Sequence, residues 1–124
     1  MDLSDTPLIV AEIGGNHRGS LRIAKELIRA ASECGCDAVK FQCFQPQEMV
    51  GDPDYILDSG PWAGRNLLDL YYETYTPREW FPDLFAYAEG QGIVPFASVF
   101  STQDVEYLEE LDPVARRGVP GSLT

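Results

Sequence analysis

The stretch that most constrains the fold of this chain is residues 8–19, LIVAEIGGNHRG, close to the N-terminus. An apolar run ends there in a carboxylate, Glu12, and a glycine-rich polar turn follows before a helical pattern begins. A buried strand that delivers polar side chains at its carboxyl end is typical of α/β proteins, which place their active sites at that end. The stretch therefore predicts a βα unit with candidate functional residues directly after its strand.

The same arrangement recurs twice farther along the chain. Apolar runs bounded by glycine, proline or polar residues predict strands at residues 8–13, 38–44 and 93–100. A long loop, residues 45–66, and a short helical segment, residues 67–72, follow the second of these strands. Long loops in compact domains are usually either functional or disordered, so this one is a candidate for a functional role.

Three amphipathic helices are predicted, one after each strand. The apolar repeat of the first helix follows an N-cap serine, and a capping box with proline at the first helical position marks the start of the second. Their boundaries are Ser20 to before Gly35, Thr76 with its partner Glu79 to Gly90, and residues 102–111. Strands that alternate with helices predict right-handed crossovers and a parallel sheet.

The length of the chain sets the extent of this fold. A closed parallel barrel needs eight βα units and about 250 residues, whereas this chain has 124 residues and three predicted units. We therefore predict an α/β fold, the N-terminal portion, about three βα units, of a truncated (β/α)8 TIM barrel. Residues 1–111 form this partial barrel, and residues 112–124 form an irregular tail.

Charge and composition exclude several classes of partner. The net charge of −11 makes nucleic acid a poor ligand, because phosphate binding needs clustered Lys and Arg. No apolar run approaches the roughly 18 residues of a membrane span, and the N-terminus lacks a signal-peptide pattern. The three cysteines match no metal or redox spacing. We therefore expect a cytoplasmic protein with reduced thiols, no membrane association and no nucleic-acid partner.

Three polar side chains at strand ends are the candidate site. Lys40 and Gln42 lie two residues apart on one strand, so their side chains point to the same face. With Glu12 they suit a small, oxygen-rich, anionic substrate. Alternatively, Lys40 forms a structural ion pair with Glu12 across adjacent strands. Asn16 and His17 lie in a glycine-flanked turn, where Asn is favoured for backbone reasons, and a single histidine does not make a metal site.

Two motifs give the chain a family resemblance. AEIGGNHRGS, followed by a helix and then by DAVKFQCF, resembles the N-terminal signature of the sialic acid synthase family, which includes N-acetylneuraminate and pseudaminic acid synthases. The later segment YTPREWFPDLFAYAEGQGIVPFASVF is similar to the second helix and third strand of that family. The resemblance covers residues 7–111, and the two N-terminal motifs together are specific.

The resemblance implies a carbohydrate-biosynthetic transferase that condenses phosphoenolpyruvate with an N-acetyl amino sugar on a (β/α) barrel. A divalent metal, Mn or Mg, polarises the aldehyde oxygen of the sugar. The resemblance places Glu12 near that oxygen or its water, Lys40 at the phosphoenolpyruvate anion and Gln42 at the sugar, all three as catalytic residues. Asn16 and Ser98 join Lys40 and Gln42 in binding substrate. Ser98 keeps a hydroxyl where relatives have a Ser-Thr-Pro-Phe or Ser-Ser-Pro-Phe run.

The resemblance ends after residue 111. The family continues there into further strands and two metal-ligand histidines, whereas this sequence reads DPVARRGVPGSLT. We therefore expect either an inactive fragment or one half of a split enzyme whose C-terminal half is separately encoded. A non-catalytic binding or interaction module built from three βα units is an alternative. Another phosphoenolpyruvate-dependent 3-deoxy sugar acid synthase is a further alternative, against which the AEIG-x-NH signature argues.

Overall fold

The computed structural model describes residues 7–111, which form one parallel sheet with helices packed against it. The strands β1 (Val10–Glu12), β2 (Ala38–Cys43) and β3 (Val94–Val99) are ordered β1-β2-β3 and run parallel. The helices are α1 (Leu21–Glu33), α2 (Pro46–Met49), α3 (Leu67–Thr74), α4 (Phe81–Gly90) and α5 (Thr102–Leu111). The predicted α/β order with a parallel sheet is confirmed, and the predicted tail, residues 112–124, lies outside the described residues.

The core lies between one face of the sheet and the helices. Alternate residues of β2, namely Val39, Phe41 and Cys43, are fully buried, because successive side chains of a strand point to opposite faces. They pack with the apolar faces of α1 and α4, which contribute Ala24, Ile28, Ala31, Phe81, Leu84, Phe85 and Ala88. Each fully buried large apolar side chain contributes about 1.5–3 kcal/mol. This packing holds the sheet rigidly from one side.

The first helix begins where the sequence predicts. The Ser20 hydroxyl accepts a hydrogen bond from the backbone N–H of Ile23 at 3.2 Å, which is N-cap geometry. Gly35, with φ of +86°, follows the C-cap residue Cys34. This left-handed conformation favours glycine and ends the helix.

The first strand is shorter than predicted. Its ladder with β2 starts only at the pair Val10–Ala38. Ile9 instead bonds to the turn before β2, since its N–H donates to Asp37 Oδ2 at 2.9 Å and its carbonyl accepts from Asp37 N. In the part of the chain that the structure describes, β1 is an edge strand, and Leu8 and Ile9 are exposed.

The predicted capping box at Thr76 is wrong. A 3-10 turn over Arg78–Trp80 precedes α4, and the Thr76 side chain does not cap either element. The physical reason is Pro82. It has no N–H to donate to the carbonyl of Arg78, so it fits only the first turn of a helix. The Arg78 carbonyl instead accepts from the N–H of Phe81 and from the Tyr107 hydroxyl, the latter at 2.7 Å.

The predicted long loop has internal structure. After the single turn of α2, Ile56 and Asn66 form an antiparallel bridge, and the N–H of Leu57 donates to the carbonyl of Arg65 at 2.9 Å. The Asn66 side chain then caps α3, which extends two residues beyond its predicted end. Trp62 projects from this segment and is exposed. The segment between β2 and α4 therefore has regular structure of its own.

The third strand, predicted at residues 93–100, spans Val94–Val99 and continues through Pro95, the register partner of Val39. Proline is tolerated on an edge strand, because no ladder partner is needed on its second side. Among the described residues β3 is such an edge.

Candidate active site

The face of the sheet opposite the core carries a line of polar side chains. Glu12 of β1 and Lys40 of β2 are register partners, and Lys40 Nζ lies 3.4 Å from Glu12 Oε2. The exposed fractions of the two side chains are 34% for Lys40 and 48% for Glu12. An ion pair this open to water contributes at most about 1 kcal/mol. A ligand anion can therefore replace Glu12 as the partner of Lys40 at a small cost in free energy.

Two neutral polar side chains continue the same face. Gln42 follows Lys40 by two residues on β2, and Ser98 of β3 is the register partner of Gln42. Both side chains are half-buried. Register and the two-residue strand repeat thus bring Glu12, Lys40, Gln42 and Ser98 to one face, with the charged pair at β1–β2 and the neutral pair at β2–β3.

Asn16 lies apart from these four residues. It is exposed, in the loop that leaves β1, and its backbone N–H donates to the carbonyl of Ile13 at 3.0 Å. The loop that carries it, residues 14–19, turns sharply. Gly14, Arg18 and Gly19 have φ of +52°, +54° and +75°, the left-handed region that side chains with a Cβ rarely adopt.

His17 has a larger structural role than its sequence context predicts. Its side chain is fully buried, its Nδ1 accepts from the backbone N–H of Gly19 at 3.0 Å, and its Nε2 lies 2.9 Å from Thr76 Oγ1. Because a backbone N–H only donates, the ring proton must be on Nε2, which donates to the Thr76 hydroxyl. Burial lowers the pKa of His17, which favours this neutral form. The signal in the sequence was a histidine among glycines at a strand end, but its partner is 59 residues away.

A second polar cluster, also missed, joins the 3-10 turn to α5. Asp104 is buried, and its Oδ1 accepts from Nε and Nη2 of Arg78 at 3.1 and 2.7 Å. This carboxylate raises the pKa of Arg78. Burial, followed by the nearby Asp104 carboxylate, raises the pKa of Cys43 to about 12. The Cys43 thiol is therefore protonated at neutral pH and is not a nucleophile.

The expected metal is not held by the part of the chain that the structure describes. Within residues 7–111 no group of three or more His, Cys, Asp or Glu side chains is arranged to hold a metal ion. Glu12 is the one acidic member of the polar face, and its neighbour there is a cation. These residues by themselves do not fit a divalent metal. No helix within the same range is long and apolar enough to cross a bilayer.

Comparison with known proteins gives consistent matches. Residues 27–117 match the profile of the NeuB family. Pseudaminic acid synthase of Campylobacter jejuni is 40% identical over 110 residues, which cover 86% of this chain and 32% of that protein. The chain thus spans about a third of the length of this curated relative.

Two solved structures share the fold. N-acetylneuraminic acid synthetase from Leptospira borgpetersenii, in complex with citrate, superposes with a TM-score of 0.70 over 90% of this chain and 38% of that one, at 22% identity. The spore coat polysaccharide biosynthesis protein SpsE from Bacillus subtilis superposes with a TM-score of 0.60 over 86% of this chain and 27% of that one, at 34% identity. The described residues therefore correspond to part of a larger α/β fold.

Proposed function

This chain belongs to the NeuB family, and we propose that it forms the N-terminal part of the substrate site of an enzyme that condenses phosphoenolpyruvate with an N-acetyl amino sugar. The relatives are synthases in carbohydrate biosynthesis, pseudaminic acid synthase among them. The observation that supports the proposal is the row of Glu12, Lys40, Gln42 and Ser98 across the face of the sheet that the core helices leave free. The reaction joins the methylene carbon of phosphoenolpyruvate to the aldehyde carbon, adds water at the neighbouring carbon and releases phosphate.

Lys40 is the proposed contact for the phosphoenolpyruvate anion. Lys40 lies on the central strand of the three-stranded sheet, so its backbone is paired on both sides and the base of its side chain is fixed. Its ammonium group is a compact point charge. Its ion pair with Glu12 at 3.4 Å is open to solvent. A doubly charged ligand would outcompete a single exposed carboxylate for this cation.

Gln42 and Ser98 are the proposed contacts for the amino sugar. The Gln42 amide both donates and accepts, and the Ser98 hydroxyl does the same, so together they match hydroxyl groups of either orientation. Their register across β2 and β3 puts them side by side. Asn16, exposed in the loop after β1, is the proposed additional contact for substrate.

Glu12 is the proposed residue beside the reacting carbonyl. Its position next to Lys40 lets it take or return a proton as charge develops on the aldehyde oxygen. In the family a divalent metal, Mn or Mg, is the proposed Lewis acid for that oxygen. Since residues 7–111 do not provide its ligands, we assign those ligands to polypeptide outside these residues, either on the same chain or on a separately encoded C-terminal half.

The edges of the sheet support this assignment. Among the described residues β1 and β3 each pair on one side only, and Leu8 and Ile9 just before β1 and Val94 in β3 are exposed. Unpaired strand edges with apolar side chains attract further strands.

A cytoplasmic location is also part of the proposal, and the exposed free thiol of Cys34 favours it.

The test is a chimera in which residues 1–111 replace the matching N-terminal third of the Campylobacter jejuni synthase. We expect phosphate release that depends on both phosphoenolpyruvate and the amino sugar substrate. Lys40→Ala should abolish most of this phosphate release. Lys25→Ala is the matched control, because it removes the other lysine of the sequence, which lies on α1, and it should leave phosphate release unchanged. A folded chimera whose activity is insensitive to Lys40→Ala would overturn the proposal.

A further inference from the structure

His17 connects the loop after β1 to a distant segment. Its Nδ1 accepts a hydrogen bond from the N–H of Gly19 in the same loop, and its Nε2 donates to the hydroxyl of Thr76. Thr76 lies between α3 and the 3-10 turn. The imidazole ring also packs against the Trp80 ring in a T-shaped arrangement, with centroids 5.2 Å apart and planes at 72°. Both nitrogens and the ring of His17 therefore contribute to keeping the loop against this segment.

A second contact, independent of the histidine, docks the same loop on the same segment. Gly15 lies so close to the last residue of α3 that an added Cβ would be 2.7 Å from Thr74 Cβ and 3.2 Å from its carbonyl oxygen. Only a residue without a side chain fits there. The loop thus contacts the distant segment at two places, on either side of Asn16.

The backbone of the loop needs such support. Three of its residues, Gly14, Arg18 and Gly19, are in the left-handed region, which costs free energy for Arg18 and conformational entropy for the glycines. Gly14 also lies next to the candidate site, since a Cβ built on it would be 3.5 Å from Glu12 Oε1. The conformation of the loop therefore bears directly on the surroundings of the Glu12 carboxylate.

We propose that His17 is a positioning residue for the substrate site: through Gly19 and Thr76 it fixes residues 14–19 in the conformation that places Gly14 against the Glu12 carboxylate. It does not touch substrate itself, because its side chain is fully buried. The relevance of this positioning to phosphoenolpyruvate rests on the proposed function. The positioning itself concerns the loop and is tested without substrate.

The test uses two variants of the full chain and one matched control. Thr76→Val removes the hydroxyl that meets Nε2, and His17→Phe keeps an aromatic ring against Trp80 but loses both nitrogens. Thr102→Val makes the same chemical change as Thr76→Val at an exposed position on α5. Amide hydrogen exchange is followed by NMR at Gly19 and at the core strand residue Phe41, and the ring tautomer of His17 by its 15N shifts.

In the wild type we expect the tautomer with the proton on Nε2. Thr76→Val should speed exchange at Gly19 roughly fivefold to tenfold, as the loss of one hydrogen bond predicts, and His17→Phe should speed it further. Exchange at Phe41 should change less than at Gly19, which separates a local effect on the loop from a loss of global stability. Thr102→Val should leave Gly19 unchanged. Equal changes at Gly19 and Phe41, or the other tautomer, would overturn the inference.

Phosphoenolpyruvate is then added to each protein while the amide signals of Asn16 and Lys40 are followed. If the wild type binds it, Thr76→Val should weaken binding severalfold, and unchanged affinity would overturn the inference. If the wild type shows no shift while Gly19 responds to Thr76→Val as expected, this part of the site does not bind phosphoenolpyruvate by itself. The positioning of the loop by His17 then stands, and the chimera decides whether phosphoenolpyruvate is the ligand.

Discussion

Two ion pairs in this molecule use the same chemistry, but the carboxylate is exposed in one and buried in the other. Lys40 and Glu12 lie 3.4 Å apart on the open face of the sheet, with both side chains at least one-third exposed. Arg78 and Asp104 lie 2.7 Å apart beside the core, and only 1% of the Asp104 side chain is exposed. The open pair is weak and can exchange for a ligand, whereas the buried one joins the 3-10 turn to α5 and cannot be opened cheaply.

The partners around each pair show the same difference. The Arg78–Asp104 pair is extended by the Tyr107 hydroxyl, which donates to the carbonyl of Arg78, and by the Ser101 hydroxyl, which accepts from the N–H of Asp104. Around the Lys40–Glu12 pair, the same face carries Gln42, two residues beyond Lys40, and Phe96, the register partner of Lys40 on β3. An ion pair by itself therefore does not mark a functional site. A charged side chain that is exposed and lies beside further polar side chains is the better guide.

The largest difference between the two ion pairs should appear in the stability of the protein when the cation of each pair is removed. Arg78→Ala should lower the free energy of unfolding by about 3 kcal/mol. This is the low end for a broken buried pair, because 36% of the Arg78 side chain is exposed. Lys40→Ala should lower it by less than about 1 kcal/mol. Urea unfolding of both variants measures this directly. The double variant Arg78→Met, Asp104→Leu should recover most of the loss, and a double variant as unstable as Arg78→Ala would contradict the assignment.

The second effect concerns activity in the chimera with the Campylobacter jejuni synthase. Lys40→Ala should reduce kcat/KM for phosphoenolpyruvate roughly 30-fold, as removal of one charge that meets an anion predicts. Arg78→Ala should change the same quantity little in the fraction of protein that stays folded. Steady-state kinetics with varied phosphoenolpyruvate, corrected for folded protein by circular dichroism, make the comparison. A larger kinetic effect for Arg78→Ala would reverse the roles of the two pairs.

Smaller effects should distinguish the roles of Gln42 and Glu12 on the open face of the sheet. Gln42→Ala should raise KM for the amino sugar roughly tenfold with little change in KM for phosphoenolpyruvate, because a neutral hydrogen-bonding partner is lost. Glu12→Gln keeps the shape of the side chain and should lower kcat more than either KM. Equal loss of soluble expression in the Glu12, Lys40 and Gln42 variants would instead support a structural ion-pair and hydrogen-bond set.

The smallest expected effect is a pH dependence from His17. Its pKa is lowered in the folded chain by burial, from an ordinary value of 6.5. The unfolded chain therefore binds the proton more readily, so this contribution to stability is complete above pH 6.5 and is lost as pH falls through the folded pKa. Urea unfolding at several pH values should show a shallower decline for His17→Phe than for the wild type. Parallel declines would show that carboxylates alone account for it.

Local patterns in the sequence were enough to predict much of the fold. Three such patterns were confirmed: the apolar run of β2, the amphipathic repeat of α1 and the N-cap Ser20. The predictions failed where one residue served a distant partner. Thr76 has the sequence context of an N-cap, yet its hydroxyl meets His17, 59 residues away, while Pro82 moves the start of α4.

The candidate site divides in the same way. The shared face of Lys40 and Gln42 follows from their two-residue spacing, and their alignment with Glu12 and Ser98 is set by strand register. The connections made by Arg78 to Asp104 and by His17 to Thr76 span 26 and 59 residues between polar side chains. No periodicity links such residues, so a single sequence gives no signal for them. The roles of Glu12, Lys40, Gln42, Asn16 and Ser98 stay predictions.

The edge contact between His17 and Trp80 gives the loop an optical readout. The chain has two tryptophans, of which Trp62 is exposed to water and Trp80 is half-buried with its indole 5.2 Å from the imidazole centroid. A protonated imidazole quenches indole emission by accepting an electron from the excited ring, whereas a neutral one does so much less. With Trp62→Phe to remove the background, the fluorescence of Trp80 becomes a site-specific monitor of the charge on the sole histidine.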